Sequence, residues 1–373
     1  MTVDNKADLL LRSVIQQPLS AGSSLLFQLA EQTSDWDSLL GAARQHRILP
    51  LLYLRLADVA PAIPPLVWER LQAAYQRNTF HSLANTAELL AILNLFDQAM
   101  IPAMPFKGVV LAAAIYQDLA ARTAGDLDLI INERDLKRAS AILFERGFDL
   151  TIPDRHEYRF ERQSDGMIVE LRWKLDLAYQ RFHTNLGLQW VWPHHPSVAL
   201  AGARVPSISP EINLLALCMH GCKHIWSRLL WICDIAQLIA SVPDLDWMKV
   251  IEESRRTGLE RTLALGVLLA HRIGGAIVPR TMLKRFASDS TAGRLVKHIE
   301  STLFTAPGTP PEGSIPYNIK LLSFRDRTKL FLSPAFLRPN ERDRAAIALP
   351  PSLDVLYYAV RPIRILCDRS PRA

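Results

Sequence analysis

Residues 122–131 read RTAGDLDLII. Successive side chains of a strand point to opposite faces, so Asp126 and Asp128 share one face while Leu127 and Leu129 share the other. Two carboxylates on one face repel each other, and burying either without a partner is costly. The pattern therefore asks for a cation at the mouth of this strand, or else for a strand end open to water.

The flanking segments place the strand in a sheet. Upstream, IPAMPF (101–106) reads as a short strand ended by Lys107-Gly108, and VVLAAAIYQD (109–118) as a helix. Downstream, a helix is expected from Glu133 to Arg146, stopped by Gly147. Strands follow at FDLTI (148–152), EYRFER (157–162) and MIVELRW (167–173), the last two joined by a turn at Ser164-Asp165-Gly166. Residues 5–100 and the chain from Glu211 onward carry helical spacing of apolar residues, as at Leu25, Leu29, Trp36, Leu39, Leu40 and Ala43. The predicted class is α+β: a small mixed sheet between N-terminal and C-terminal helical regions. The expected division is 1–100 helical, 101–180 the sheet core, 181–300 a helical domain closing a cleft, and 301–373 a C-terminal extension. TAPGTPPEGSIP (305–316) reads as a loop near the start of the last part.

A third acid belongs with the first two. Glu170 alternates with Val169 and Leu171 in a strand that should be buried. Asp126, Asp128 and Glu170 offer hard oxygen ligands of the kind a pair of Mg²⁺ ions takes, with Mn²⁺ as a substitute. Two such ions can clamp the attacking and leaving oxygens of a phosphoryl displacement. Lys107 and Gly108 lie at a strand-to-helix turn, where glycine admits close approach of a phosphate and lysine adds a charge. Arg122, four residues before Asp126, has two uses: a phosphate contact, or a counterion for the acids.

These residues carry a resemblance. The run FKGVVLAAAIYQDLAARTAGDLDLII (106–131), the ERDLKRASAILFERGF segment (133–148) and VELRW (169–173) resemble the uncharacterised nucleotidyltransferase family of the DNA polymerase β-like superfamily. That family's pattern of a KG turn, a tyrosine, an arginine and a D-x-D strand corresponds to Lys107-Gly108, Tyr116, Arg122, and Asp126 with Asp128. CMHGCKHIWSRLLWICDIAQLI (218–239) and SPAFLRPNERD…LPPSLDVLYYAVRPIR (333–364) resemble its later blocks. The resemblance implies transfer of a nucleotidyl group, AMP foremost, from a nucleoside triphosphate to a hydroxyl or phosphate of a small-molecule or peptide acceptor. The superfamily usually has Gly-Ser where Lys107-Gly108 stands, and relatives often carry histidine where Arg172 stands.

Treated as one continuous helix, residues 212–240 place Lys223, His224, Ser227, Trp231 and Asp234 within about 60° of His220, and Arg228 within about 80°. That stripe is expected to face the cleft. Lys223 and Arg228 suit phosphate, His224 is a proton acceptor, and Asp234 is a general base or the ion-pair partner of Arg228. On such a helix the cysteines and histidines of C-x-H-x-C-x-H point apart, which excludes a shared zinc.

Composition sets the outer limits. Of 373 residues, 49% are hydrophobic and 21% charged, a globular balance rather than a disordered one. The net charge of +6 favours an anionic ligand and does not itself argue for nucleic acid. No apolar run reaches the roughly 18 residues of a membrane span. The opening MTVDNKADLLLR lacks the features of a secretory signal, and four cysteines do not form a disulfide framework, so a cytoplasmic protein is expected. Two rival readings remain to be weighed. A D-x-D also serves glycosyltransferases, but those need alternating strands and helices ahead of the motif, and here that part reads as helix. The other rival is a catalytically weak nucleotide-binding scaffold or partner protein.

Overall fold

The computed structural model describes residues 5–16, 23–175 except 124 and 155, 186–304 except 194, 315–321, and residues 339, 344, 346, 347, 349–360 and 363. Four helices open it: α1 (Asn5–Ile15), α2 (Ser23–Gln32), α3 (Trp36–Gln45) and α4 (Leu49–Leu56). A long α5 (Pro65–Gln98) then leads into the sheet. Pro65 stands at the first turn of α5, where a missing N–H costs nothing. The helix ends where Met100 turns left-handed (φ 54°) and the Ile101 N–H returns to the Phe96 carbonyl at 2.7 Å.

The sheet elements are β1 (Ala103–Phe106), α6 (Gly108–Leu111), β2 (Leu127–Ile131), α7 (Leu136–Glu145), β3 (Asp149–Pro153), β4 (Glu157–Arg162) and β5 (Met167–Arg172). All five expected strands are present, in the order β1-β2-β5-β4-β3. β2 and β5 run parallel, and the other pairs are antiparallel. The helix expected over 109–118 is instead the single α turn of α6 continued by a π turn, Ala112–Tyr116.

Alternation gives the sheet two unlike faces. Leu127, Leu129, Ile131, Val169, Leu171 and Phe160 form one, packed with Leu89, Ile92 and Phe96 of α5 and Ala139 and Leu143 of α7. On the other, Met104, Phe106 and Ile130 join the large core of the helical part. Asp128, Glu157, Arg159, Glu161, Glu170 and Arg172 stand on that second face, because Asp128 is paired with Glu170, and Glu170 with Arg159, directly across the strands, whereas Arg162 lies on the first face against Glu88 of α5.

Beyond the sheet come α8 (Leu188–Val191), a hairpin of β6 (Ser197–Leu200) and β7 (Ala203–Pro206) that the sequence reading missed, and then α9 (Pro210–Lys223) and α10 (Leu229–Ser241). α11 (Trp247–Thr257), α12 (Glu260–Arg272), α13 (Arg280–Ala287), α14 (Ser290–Leu303) and α15 (Ile315–Leu321) follow. The continuous helix expected over 212–240 is broken between α9 and α10. Ile225 and Trp226 take positive φ (52° and 53°), and the Trp226 N–H closes back on the Gly221 carbonyl at 2.9 Å. The fully buried Trp226 ring then lies on Gly221 and Gly266, where any Cβ at Gly221 would collide with it. Gly221 thus serves packing and does not itself break the helix. Most of the expected C-terminal blocks, and residues 305–314 of the proline-rich loop, lie outside the described residues.

Candidate active site

β1 delivers the turn and β2 the acids. Phe106 pairs with Asp128 across the strands, so the chain leaves β1 beside the acidic end of β2. Lys107 and Gly108 both have positive φ (64° and 54°). A Cβ at Gly108 would meet only an ordinary contact, 3.6 Å from the Asp126 carbonyl, so the left-handed backbone is what asks for glycine. Lysine has no such freedom, and a strained backbone of this kind costs on the order of 1–3 kcal/mol. The twist directs Lys107 Nζ to Asp128 Oδ2 at 3.0 Å. With α6 only one turn long, little helix dipole backs this turn, so Lys107 is itself the positive charge there.

Asp126, Asp128 and Glu170 come together, with one carboxylate oxygen from each within 4.8 Å of the others. Their surroundings differ sharply. Asp128 is buried and receives Arg172 Nε at 2.9 Å as well as Lys107. Burial would raise its carboxyl, but Lys107 and then Arg172 outweigh that and hold it at about 2. Burial, and then the neighbouring Asp128 charge, push Glu170 the other way, to about 7, although Arg172 bonds it too. Asp126 is half-buried, and among the described residues it has no hydrogen-bond or ion-pair partner. A donor set of three carboxylates, one uncommitted and one strained by its neighbour's charge, fits a hard divalent cation such as Mg²⁺ or Mn²⁺.

Arg172 spans this cluster. Its guanidinium bonds Asp128, Glu170 and Glu157 together, and those acids raise its pKa against the opposing effect of burial. Glu157 was not among the expected site residues, nor was Arg159, which is registered opposite Glu170. The alternation of EYRFER places Glu157, Arg159 and Glu161 on one face, and that signal was available in the sequence.

The α9–α10 junction gathers part of the expected stripe in spite of the break. Lys223 Nζ is 3.7 Å from Glu157. The His224 ring stacks on Trp231 at 5.0 Å, with His220 4.7 Å from His224 and 6.5 Å from Phe106. Burial, followed by the charges of Lys107, His224, Arg172 and Lys223, holds His220 well below the usual histidine range. Arg228 lies over Trp231 at 5.5 Å. Cys218 and Cys222 are buried free thiols, and the only His/Cys/Asp/Glu group poised for a metal among the described residues is the three acids.

Asp234 and Arg122 belong elsewhere. Arg122 Nε and Nη2 each donate to Asp234 at 2.9 Å, and the Tyr116 hydroxyl donates to the same carboxylate at 3.0 Å. Asp234 is wholly buried and Arg122 nearly so. Neither the general-base role nor the Arg228 pairing expected of Asp234 matches this geometry, because both its oxygens are taken by Arg122. Arg122 likewise spends its Nε and Nη2 on Asp234, so neither the phosphate contact nor the pairing with the three acids expected of it matches this geometry. α5 holds the same loop from its other side. The Asn78 amide donates to the carbonyls of Ala120 (2.8 Å) and Arg122 (3.2 Å), and the Tyr75 hydroxyl donates to Asp118 at 2.9 Å.

No curated protein matches the chain. Among solved structures it has slight likenesses to the lincomycin-bound lincosamide antibiotic adenylyltransferase LnuA (16% identity, 35% of this chain, 83% of that one, TM-score 0.28). Another is to the antibiotic-resistance factor ANT(2'')-Ia (16% identity, 59% and 99% covered, TM-score 0.29). A third is to an antigenic nucleotidyltransferase-like protein from Paracoccidioides brasiliensis (18% identity, 48% and 91% covered, TM-score 0.31). TM-scores of this size carry no structural argument. The family model is decisive: it matches residues 32–275, and the chain belongs to the family of uncharacterised nucleotidyltransferases.

Proposed function

We propose that the protein moves a nucleotidyl group, AMP foremost, from a nucleoside triphosphate to a hydroxyl or phosphate of a small-molecule or peptide acceptor. The observation that carries this reading is the convergence of Asp126, Asp128 and Glu170 beside the Lys107-Gly108 turn. The three carboxylates would hold Mg²⁺, two ions in the full reading, which supplies charge neutralisation for the transferring phosphoryl group. Lys107, freed from Asp128, binds triphosphate oxygens as a point charge. Lys223 and Arg228 meet the phosphates from the helical wall formed within residues 181–300. His224, half-buried against Trp231, would take the proton of an acceptor hydroxyl. Asp234 acts through Arg122 and Tyr116, fixing the loop that ends in Asp126. The buried free thiols suit a cytoplasmic setting. Nucleic acid and membrane are not among the proposed partners, and no helix of the described residues is long and apolar enough to cross a membrane.

One observation favours a second reading. Arg172 already fills the acidic cluster, as an arginine would in a protein that binds nucleotide without turning it over. Pyrophosphate release from each of the four NTPs with Mg²⁺, in the presence of pooled hydroxyl and phosphate acceptors, separates the two. Release that depends on both metal and acceptor supports transfer. Saturable binding with no release under any acceptor leaves only the scaffold.

A further inference from the structure

We propose that Arg47, from the N-terminal helices, is a further residue of the nucleotide site and holds phosphate oxygens of the bound triphosphate beside Asp126. The inference rests on the nucleotidyl-transfer reading above and adds to it a contact from a region where the sequence showed only packing.

The chain places Arg47 by closing α3. The Arg47 N–H returns to the Arg44 carbonyl at 3.0 Å and the Ile48 N–H to the Ala43 carbonyl at 2.9 Å, with Arg47 left-handed at φ 57°. This closure usually puts glycine where Arg47 stands. Met100 and Ile225 make the same closure without glycine, so the backbone alone assigns nothing.

The attachments of this turn set it apart. The Arg47 carbonyl accepts the Thr123 hydroxyl at 2.9 Å, on the loop that leads into Asp126. The neighbouring His46 accepts both Leu229 N–H, at its Nδ1 (3.4 Å), and Leu230 N–H, at its carbonyl (3.3 Å), which are the first residues of α10. One turn is thus pinned to the acid-bearing loop and to the helix that carries Trp231. The guanidinium follows: Arg47 Nη1 lies 3.5 Å from where a Cβ of Gly125 would stand, one residue from Asp126.

Charge completes the case. Lys107 is committed to Asp128, Arg122 to Asp234, Arg172 to three acids, and Lys223 lies near Glu157. Arg47 is exposed, and among the described residues its side chain makes no ion pair. Among the described residues Asp126 is likewise without an ion-pair partner, so an unpaired cation lies against Gly125, the residue before an unpaired acid, without bonding that acid. That arrangement suits a metal-bound phosphate, whose oxygens take a guanidinium bidentately.

The test uses the full chain and inorganic tripolyphosphate with Mg²⁺, a probe that carries no base preference, alongside ATP and adenosine. Arg47→Gly supplies the residue the turn prefers, so its melting temperature should equal or exceed that of the wild type. Its affinity for tripolyphosphate and ATP should fall about tenfold or more, with adenosine unaffected and Arg47→Lys intermediate. Unchanged tripolyphosphate binding in Arg47→Gly overturns the inference, and so does a lower melting temperature with equal loss for adenosine. If the wild type itself binds neither tripolyphosphate nor any NTP, the nucleotidyl-transfer reading falls first. That failure is read before any substitution is made.

Discussion

Two clusters of buried charge bracket the loop from Tyr116 to Asp128, and they are built to opposite rules. Around Asp234, one acid meets one guanidinium through two hydrogen bonds of 2.9 Å, and a tyrosine hydroxyl adds a third. Charge and geometry are matched and nothing is left over. Around Asp128, three acids (Asp128, Glu157 and Glu170) share Arg172, Asp128 also takes Lys107, and Asp126 stands beside them, with Lys223 at the margin. The surplus is negative: burial, and then the Asp128 charge, push the Glu170 carboxyl to about 7, and among the described residues Asp126 has no ion-pair partner. A balanced buried pair holds a structure in one arrangement, whereas an unbalanced one has the character of a candidate ligand site.

The sharpest way to break this comparison is at the balanced cluster. Asp234→Ala leaves Arg122 charged, buried and unpaired, and should cost about 3–5 kcal/mol in urea unfolding. A small loss of stability with a selective loss of turnover would instead put Asp234 in the chemistry. Asp126→Asn should do the reverse. Turnover should fall by about a hundredfold or more and Mn²⁺ affinity should drop, while the metal-free melting temperature holds or rises; a variant that keeps Mn²⁺ binding contradicts the site.

Smaller effects sharpen the contrast. The Glu170 carboxyl titrates at about 7 in the folded chain against 4.5 ordinarily. The folded state therefore holds this proton more tightly, and the cost of ionising Glu170 is absent below pH 4.5, grows up to about 7, and is full above that. Without metal, Glu170→Gln should stabilise the protein at pH 8 by on the order of 1–2 kcal/mol. This is less than the full shift would give, because Arg172 loses a partner. The gain should vanish at pH 4.5, and a gain independent of pH would point to packing instead. Last, Tyr116→Phe should cost about 1 kcal/mol and leave Mn²⁺ affinity untouched, since the Arg122 pair keeps Asp234 satisfied.

Much of this was legible in the sequence for a plain reason. Strand alternation is local, so DLDLII, EYRFER and MIVELRW reveal their faces without knowledge of any partner, and three acids on one face follow. The break between α9 and α10 was not legible. Neither Ile225 nor Trp226 is a residue that ends helices, and the seat that makes the turn worthwhile for Trp226 is supplied in part by Gly266, in another helix. The Arg122–Asp234 pair spans 112 positions, beyond any local pattern. α5 lies between these cases. Its buried Asn78, Ser82, Asn85 and Glu88 recur at helical spacing, a polar stripe within a leucine-rich helix that the sequence displays openly.

That polar stripe bears on how far the molecule can be cut. Four hydrogen bonds from Tyr75, Asn78 and Asn85 reach 40 to 44 residues along the chain, to the loop that ends in Asp126. The same helix covers the apolar face of the sheet with Leu89, Ile92 and Phe96. A fragment beginning at residue 101 would keep every carboxylate and lose the bonds that hold the loop ending in Asp126. Such a fragment would have to order the loop at the moment of binding, and its affinity would be lower by that entropy. The five strands are therefore not a portable catalytic module: the helices before them are as much a part of the site as the acids themselves.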